Sequence, residues 1–262
     1  NPEDPREIGE ALWESRHGKE KLMMVRAQSI RTFESLYQQN PRPTQAGGEA
    51  YHQFRTELHS KEVHYNDALP LHITFDFNTV PYMTLCIWQI VGKNAVQIDE
   101  ICLPPPRSTT RDTCREFKRK YVGHKSGLFI YGDPAGKKND TRFEKGHNDF
   151  TIALSELQEF KPSLRLLTKA PSVAMRLNFI NTIFESGFMG CSITIGINCK
   201  NTVEDYAYLK QDADGGKLKE KAKDPTTGVS YEKRGHTSDA NDYFICYVFA
   251  DEYSKYLNGG RS

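Results

Sequence analysis

The sequence lacks the features that mark membrane, secreted and zinc-ribbon proteins. Its longest apolar run, Met83 to Val91, contains Gln89 and is far shorter than the roughly 20 residues that cross a bilayer, so we expect no membrane partner. None of the six cysteines forms the close pair that zinc ribbons and thioredoxin-type redox sites require. No apolar signal core follows Asn1. We therefore expect reduced, partly buried thiols in a reducing cytoplasm.

An excess of charge of one sign is also missing. Lys and Arg number 35 and Asp and Glu 34, which leaves a formal charge of +1 over 262 residues. The composition therefore gives no sign of a strongly basic nucleic-acid binder. If the chain binds a nucleic acid, a local basic patch would have to make the contact. The length is sufficient for one large domain or two modest ones with a real core.

The first quarter of the chain differs in pattern from the rest. Residues 10–39 carry apolar side chains at three- and four-residue steps, which predicts a helix that ends before Pro41. Residues 44–67 are polar without a sustained period, as in a linker. We therefore divide the chain into a helical and linker segment, residues 1–66, and one domain, residues 67–262. The start at Asn1 suggests a processed chain or a piece of a longer one.

The second segment predicts a mixed α/β sheet flanked by helices. Three strands on short turns, 71–77, 82–91 and 95–103, form an antiparallel meander. Helices and strands then alternate, and an exposed β-hairpin within 205–234 precedes a last helix. The predicted helices are 108–122, 148–160, 172–185 and 238–257, and the later strands are 127–131, 164–168 and 191–197.

Two acidic residues lie at the ends of strands that the topology can bring together. Asp76 lies on the first strand, whose alternation places it on the face opposite Phe75 and Phe77, and Asp133 follows the fourth strand. If the helix from Ser108 makes a crossover, the two strands become parallel neighbours and the carboxylates repel each other unless a cation lies between them. Mg²⁺ prefers such oxygen ligands. Taken singly, either aspartate is more often a turn or capping residue.

A third candidate group opens the final helix. His236, Asp239 and Asp242 are each three residues apart, so neighbours in this series can share a helical face. The same residue types are also typical of a capped first turn.

Basic character is concentrated between residues 107 and 125. Arg111, Arg115 and either Lys118 or Arg119 lie on one helical face, which is more often simply solvated than bound to phosphate.

In their order along the chain, these motifs resemble the C-terminal nuclease domain of the large terminase subunit of tailed bacteriophages. The leading helix ends in an aromatic-x-x-x-Tyr-Gln-Gln-x-Pro pattern from Phe33 to Pro41. Phe75–Asn78 resembles the first nuclease motif and Gly132–Gly136 the second. The third is similar to His-x-x-Asp-Ala-x-x-Tyr, from His236 to Tyr243.

The resemblance implies a ribonuclease H-like fold and a metal-dependent endonuclease that cuts concatemeric viral DNA before and after packaging. It implies two Mg²⁺ or Mn²⁺ ions held by Asp76, Asp133 and Asp239, with His236 as a ligand or proton carrier. Asp242 competes with Asp239 for the metal. The hairpin and basic residues would hold the DNA backbone, the candidates being Arg111, Arg115, Lys118, Lys137 and Lys138.

The resemblance also implies partners. They are double-stranded DNA, an N-terminal ATPase domain of the same polypeptide, the portal and the small terminase subunit, in the cytoplasm of a bacterial host and from a viral or prophage gene. The chain has no Walker-type loop, so residues 1–66 would lead out of a missing ATPase domain. Two alternatives stay open: a related transposase or junction resolvase, and a non-catalytic module that docks DNA or the portal.

Overall fold

The computed structural model describes residues 14–19, 21–23, 48–137, 148–224 and 228–258. The chain forms two compact units, a larger one of residues 46–249 and a smaller one of residues 1–45 and 250–262. In the smaller unit the described helices are Glu14–His17 and Ala250–Leu257. Residues 19 and 21–23 are also helical, while the remainder of the helix predicted over 10–39 lies outside the described residues.

A seven-stranded mixed sheet forms the centre of the larger unit. Its strands are β1 (Ser60–Lys61), β2 (Leu71–Asp76), β3 (Met83–Val91), β4 (Asn94–Leu103), β5 (Leu128–Gly132), β6 (Ser163–Leu164) and β7 (Ser192–Gly196). They lie in the order β1-β7-β4-β3-β2-β5-β6. Strand β3 is antiparallel to both of its neighbours, and every other pairing in this sheet is parallel. The predicted meander followed by parallel strands is therefore confirmed.

Side chains at the predicted helix starts cap the flanking helices. Thr109 accepts a hydrogen bond from the Asp112 N–H, and Asn148 forms a reciprocal capping box with Thr151. Ser172 caps the long helix near the middle of the domain, as predicted. The helices of this unit are α1 (Thr56–His59), α2 (Thr110–Lys120), α3 (Asp149–Glu156), α4 (Val173–Ser186), α5 (Lys200–Tyr208) and α6 (His236–Val248).

The two faces of β2 pack against different helices. Ile73 and Phe75 belong to a buried cluster that includes Phe117 of α2 and Phe150 of α3. On the other face, Thr74 donates a hydrogen bond from its hydroxyl to a backbone carbonyl of α6. The alternation predicted for this strand is confirmed, and α6 lies on the sheet face opposite α2 and α3.

Strands β2 and β5 are parallel neighbours, with Phe75 opposite Gly132. Asp76 ends β2 and Asp133 follows β5, so the two acids lie at the same edge of the sheet. The predicted placement of the first and fourth strands is confirmed.

The structure corrects the linker prediction for residues 48–66. This part contains α1 and β1, and β1 joins the sheet beside β7. Tyr51 and Phe54 are buried, and both rings contact Tyr206 of α5. Elements of two to four residues are too short to show a hydrophobic period, which is why this segment has the pattern of a linker.

The charged segment after β7 is also partly different from its prediction. Residues 200–208 form helix α5, so the hairpin does not begin at 205. The hairpin itself pairs β8 (Lys221–Lys223) with β9 (Ser230–Glu232), while residues 225–227 of its predicted turn lie outside the described residues. The charges of α5 concealed its buried face, which includes Thr202, Asp205 and Tyr206.

Two further boundaries differ. The strand predicted over 164–168 is only β6, because Leu166 packs against the core cluster without pairing to a strand. The helix predicted over 238–257 is interrupted at Phe249, whose φ of −104° and ψ of 40° are not helical. No Gly or Pro marks this break, so the sequence pattern runs through it.

No disulfide bond joins any of the six cysteines, all of which lie in the described ranges; five are buried and Cys102 is half-buried. No helix in the described ranges is long and apolar enough to cross a membrane.

Candidate active site

Asp76 and His236 lie side by side at the carboxyl end of β2. His236 Nδ1 lies 3.1 Å from Asp76 Oδ2, and His236 Nε2 lies 2.8 Å from the Glu232 carbonyl oxygen. Since a carbonyl oxygen accepts only, Nε2 is the donor. Asn78 Nδ2 donates to both Asp76 oxygens at 3.0 and 2.8 Å. Burial opposes the charged ring, but the hydrogen bonds to Asp76 and Glu232 raise the pKa of His236.

Asp133 begins the turn that follows β5. Its Oδ1 accepts a hydrogen bond from the Ala135 N–H at 2.8 Å, and its Oδ2 accepts one from the Tyr243 hydroxyl at 2.9 Å. The Arg176 guanidinium lies 4.2 Å from the centre of the Tyr243 ring. Lys137 ends the short 3₁₀ turn after Asp133, and Lys138 lies outside the described residues.

Asp239, in the first turn of α6, is paired with a buried lysine. Lys217 Nζ lies 2.7 Å from Asp239 Oδ1 and 3.1 Å from Ser238 Oγ. Burial favours the neutral carboxyl group, but the ammonium of Lys217 outweighs it and lowers the pKa of Asp239. Burial likewise disfavours the ammonium, but the two aspartates Asp239 and Asp242 raise the pKa of Lys217.

Asp242 is completely buried behind Asp239. Its Oδ1 accepts a hydrogen bond from the Tyr51 hydroxyl at 2.6 Å. Its Oδ2 lies 2.8 Å from Lys217 Nζ and 3.8 Å from Arg176 Nε. Of the two alternative acids of the third motif, the geometry thus places Asp242 in the interior with neutralising partners.

A network of contacts fixes α6 against the sheet and against α5. Gly235, at the N-cap of α6, has a φ of 107°, in the left-handed region that favours glycine, and offers no capping side chain. The Asp205 carboxylate of α5 accepts hydrogen bonds from the Gly235 and Thr237 N–H groups instead. Thr74 Oγ1 donates to the Ala240 carbonyl at 2.8 Å. These contacts hold the start of α6, with His236 and Asp239, beside the end of β2.

One cavity of about 620 Å³ is lined by all three predicted metal-binding acids. Asp242 is not among the described residues that line it. The wall carries acidic and basic side chains, which are Asp76, Asp133, Asp212, Asp239, Arg176, Lys217 and Lys219.

The donor chemistry of this cavity suits a hard divalent cation, because carboxylate oxygens from β2, β5 and α6 face one space. In the described part of the chain, however, no group of three or more His, Cys, Asp or Glu side chains could hold a metal ion as they stand. Hydrogen bonds and ion pairs instead engage each acid: Asp76 with His236, Asp133 with Tyr243 and Asp239 with Lys217.

The predicted DNA-contact residues of α2 lie across the sheet from α6. Arg111 and Lys118 pair with Glu156 of α3 at 2.6 and 3.9 Å. Arg115 pairs with Asp112 at 3.3 Å. Carboxylates of the same chain thus already pair with these three cations. The contact of Arg111, Arg115 and Lys118 with DNA stays a prediction.

Sequence reasoning missed Lys217 and Arg176. Lys217 stands in a segment rich in exposed lysines, and Arg176 is a single cation in the first turn of α4. The sequence identified Tyr243 as the last residue of the third motif but predicted no role for it.

No protein-family model and no curated protein matches the sequence. Among solved structures, the P22 large terminase nuclease domain is 11% identical, with a TM-score of 0.53 over 83% of this chain and 99% of that one. The large terminase of a thermophilic bacteriophage is 14% identical, with a TM-score of 0.58 over 87% of this chain and 51% of that one. The chain therefore spans about half the length of this thermophilic phage terminase. These likenesses confirm the resemblance at the level of fold: the sheet is that of a terminase nuclease domain, ribonuclease H-like.

Proposed function

We propose that the chain is a metal-dependent endonuclease that cleaves double-stranded viral DNA during genome packaging. The observation that carries the proposal is the convergence of Asp76, Asp133 and Asp239 on one cavity, from the ends of two parallel strands and the first turn of α6. The likeness to the P22 large terminase nuclease domain supports it at the level of fold.

The three acids would hold Mg²⁺ or Mn²⁺, with two ions in the reacting complex. When bound, such ions activate a water molecule and stabilise the leaving 3′ oxygen. Asp76, at the end of a strand with neighbours on both sides, would be one of the metal ligands. His236 holds one ring proton on the Glu232 carbonyl and points Nδ1 at Asp76, which orients this carboxylate.

The cavity offers positive charge for an anionic substrate. Lys219 lines it with a side chain that is 61% exposed. Such charges bind the phosphate backbone without reading sequence. Since the chain spans about half of the thermophilic phage terminase, we propose an ATPase domain in the same polypeptide, with the portal and small subunit as partners in the host cytoplasm.

Plasmid cleavage tests the function. Supercoiled DNA should be nicked and linearised in Mn²⁺ or Mg²⁺ but not in EDTA. Asp76→Asn and Asp133→Asn should each abolish cleavage, whereas Asp67→Asn, at an exposed position, should retain it. Full activity in either site variant would refute the assignment. Strand-transfer products, or strict preference for four-way junctions, would favour the transposase or resolvase alternative.

The second candidate is a non-catalytic module that docks DNA or the portal. The observation in its favour is that hydrogen bonds or ion pairs already engage each of the three acids. A docking module should show no Mn²⁺-dependent rise in melting temperature that disappears in Asp76→Asn, whereas the nuclease should show one.

A further inference from the structure

Lys217 is a buried cation in the wall of the proposed active site. Its side chain is only 5% exposed, yet its ammonium lies 2.7 Å from Asp239 and 2.8 Å from Asp242. The Ser238 hydroxyl, 3.1 Å away, supplies a third oxygen. The ammonium donates hydrogen bonds to Ser238 and Asp239, whereas its contact with Asp242 Oδ2, which has no hydrogen-bond partner among the described residues, is an ion pair.

We propose that the Lys217 ammonium takes the place of a divalent cation in the cavity lined by Asp76, Asp133 and Asp239. The DNA-free chain then binds one divalent ion fewer than a variant that lacks this ammonium. The inference rests on the proposed metal-dependent function and names a residue that controls its metal content. Lys217 is a positioning residue here, because it acts through Asp239.

The first argument concerns the oxygens. Asp239 is the acid that faces the cavity from α6, and Lys217 holds its Oδ1. A divalent ion at that oxygen would compete with the ammonium for the same lone pairs, and the two positive charges would repel each other at short range.

The second argument concerns charge balance. Lys217 and Arg176 together carry two positive charges beside the two carboxyl groups of Asp239 and Asp242. Even with both carboxyl groups ionised, this group of four has no net negative charge before any metal enters, so a further divalent ion on this side of the cavity would add uncompensated charge in a poorly solvated place.

The neighbouring lysine provides a matched comparison. Lys219 lines the same cavity, but its side chain is 61% exposed and it pairs with Glu232 of the hairpin at 2.8 Å. It should not affect the ion count.

The experiment counts ions directly. The DNA-free chain is titrated with Mn²⁺, and the free ion is followed by its electron paramagnetic resonance signal. The test variant is Lys217→Met with Asp242→Asn, which removes both members of a buried ion pair because Lys217→Met alone leaves Asp242 underpaired and can fail to fold. The control is Lys219→Met with Glu232→Gln. Melting curves establish that each protein is folded.

We expect the test variant to bind one more Mn²⁺ per chain than the wild type, and the control to bind the same number as the wild type. Equal counts in wild type and test variant would overturn the inference. If both count none, the metal-dependent function fails as well. If both bind the same non-zero number of ions and the wild type cleaves plasmid DNA, that function stands and the role of Lys217 alone is refuted.

Discussion

Asp205 accepts two hydrogen bonds from Thr237, one from the backbone N–H at 3.0 Å and one from the hydroxyl at 2.7 Å. The same carboxylate accepts the N–H groups of Gly235 and Ser238 at 2.9 and 3.2 Å. Because a glycine precedes α6, a side chain of α5 supplies the missing cap. The negative charge of Asp205 also lies next to the positive end of the α6 dipole, which is a favourable interaction. The helix that carries Asp239 therefore starts at a fixed point.

Replacing Asp205 with Asn should lower the free energy of unfolding by about 2 kcal/mol, because the amide turns a donor toward backbone N–H groups that need an acceptor. Urea denaturation measures the change. The matched control is Glu204→Gln, whose side chain is 61% exposed and pairs with Arg234 at the surface. It should change the free energy by less than about 0.5 kcal/mol. Equal losses in both variants would contradict the cap.

The sheet and the positions of Asp76 and Asp133 at one of its edges were predictable from sequence, because both depend on local signals. Alternation along β2 separates Phe75 from Asp76, and a strand followed by Gly132 and Asp133 ends at a definite place. A single crossover rule then brings both acids to one edge of the sheet.

The partners of the acids were not predictable, because they come from residues with no local signal. Lys217 and Asp205 lie among other charges in the sequence, and contacts with α6, which is distant from both in the sequence, help to bury them. The spacing of Asp239 and Asp242 likewise cannot say which of the two enters the cavity, since that depends on Tyr51, far away in the sequence.

Thr74→Val tests how firmly α6 is held against β2. The substitution keeps the shape of a fully buried side chain but removes the donor to the Ala240 carbonyl, so the free energy of unfolding should fall by about 1 kcal/mol. Thr113→Val is the control, since this buried hydroxyl has no hydrogen-bond partner among the described residues. Its loss should be neutral or stabilising. A larger loss at Thr113 than at Thr74 in urea denaturation would contradict this account.

His72 should make the fold sensitive to acid. Burial among Phe129, Tyr131 and Phe244 lowers the pKa of His72 from 6.5 to about 4. The unfolded chain takes up this proton first, so stability is lost as the pH falls from 6.5 toward 4. The share of His72 in that loss is about 2 kcal/mol at pH 5.

His72→Gln should therefore reduce the difference in unfolding free energy between pH 7 and pH 5 by about 2 kcal/mol, whatever its effect at pH 7. Denaturant titrations at both pH values measure it. His64→Gln, at an exposed position, is the control and should leave the difference unchanged. An unchanged difference in His72→Gln would show that His72 is not held neutral by burial.

Gly136→Ala tests the turn that positions Asp133. A Cβ at Gly136 would lie 2.9 Å from Cε2 of the Phe150 ring, which is 1% exposed and packs edge-on against Phe77. The ring cannot yield easily, so the turn must move, and the Gly136 N–H donates to the Asp133 carbonyl within that turn. A shift of Asp133 by about 1 Å should reduce plasmid cleavage by about a hundredfold. Ala135→Ser adds one atom at an exposed position of the same turn and should cleave normally. Normal cleavage by both variants would mean that the placement of Asp133 does not depend on this packing.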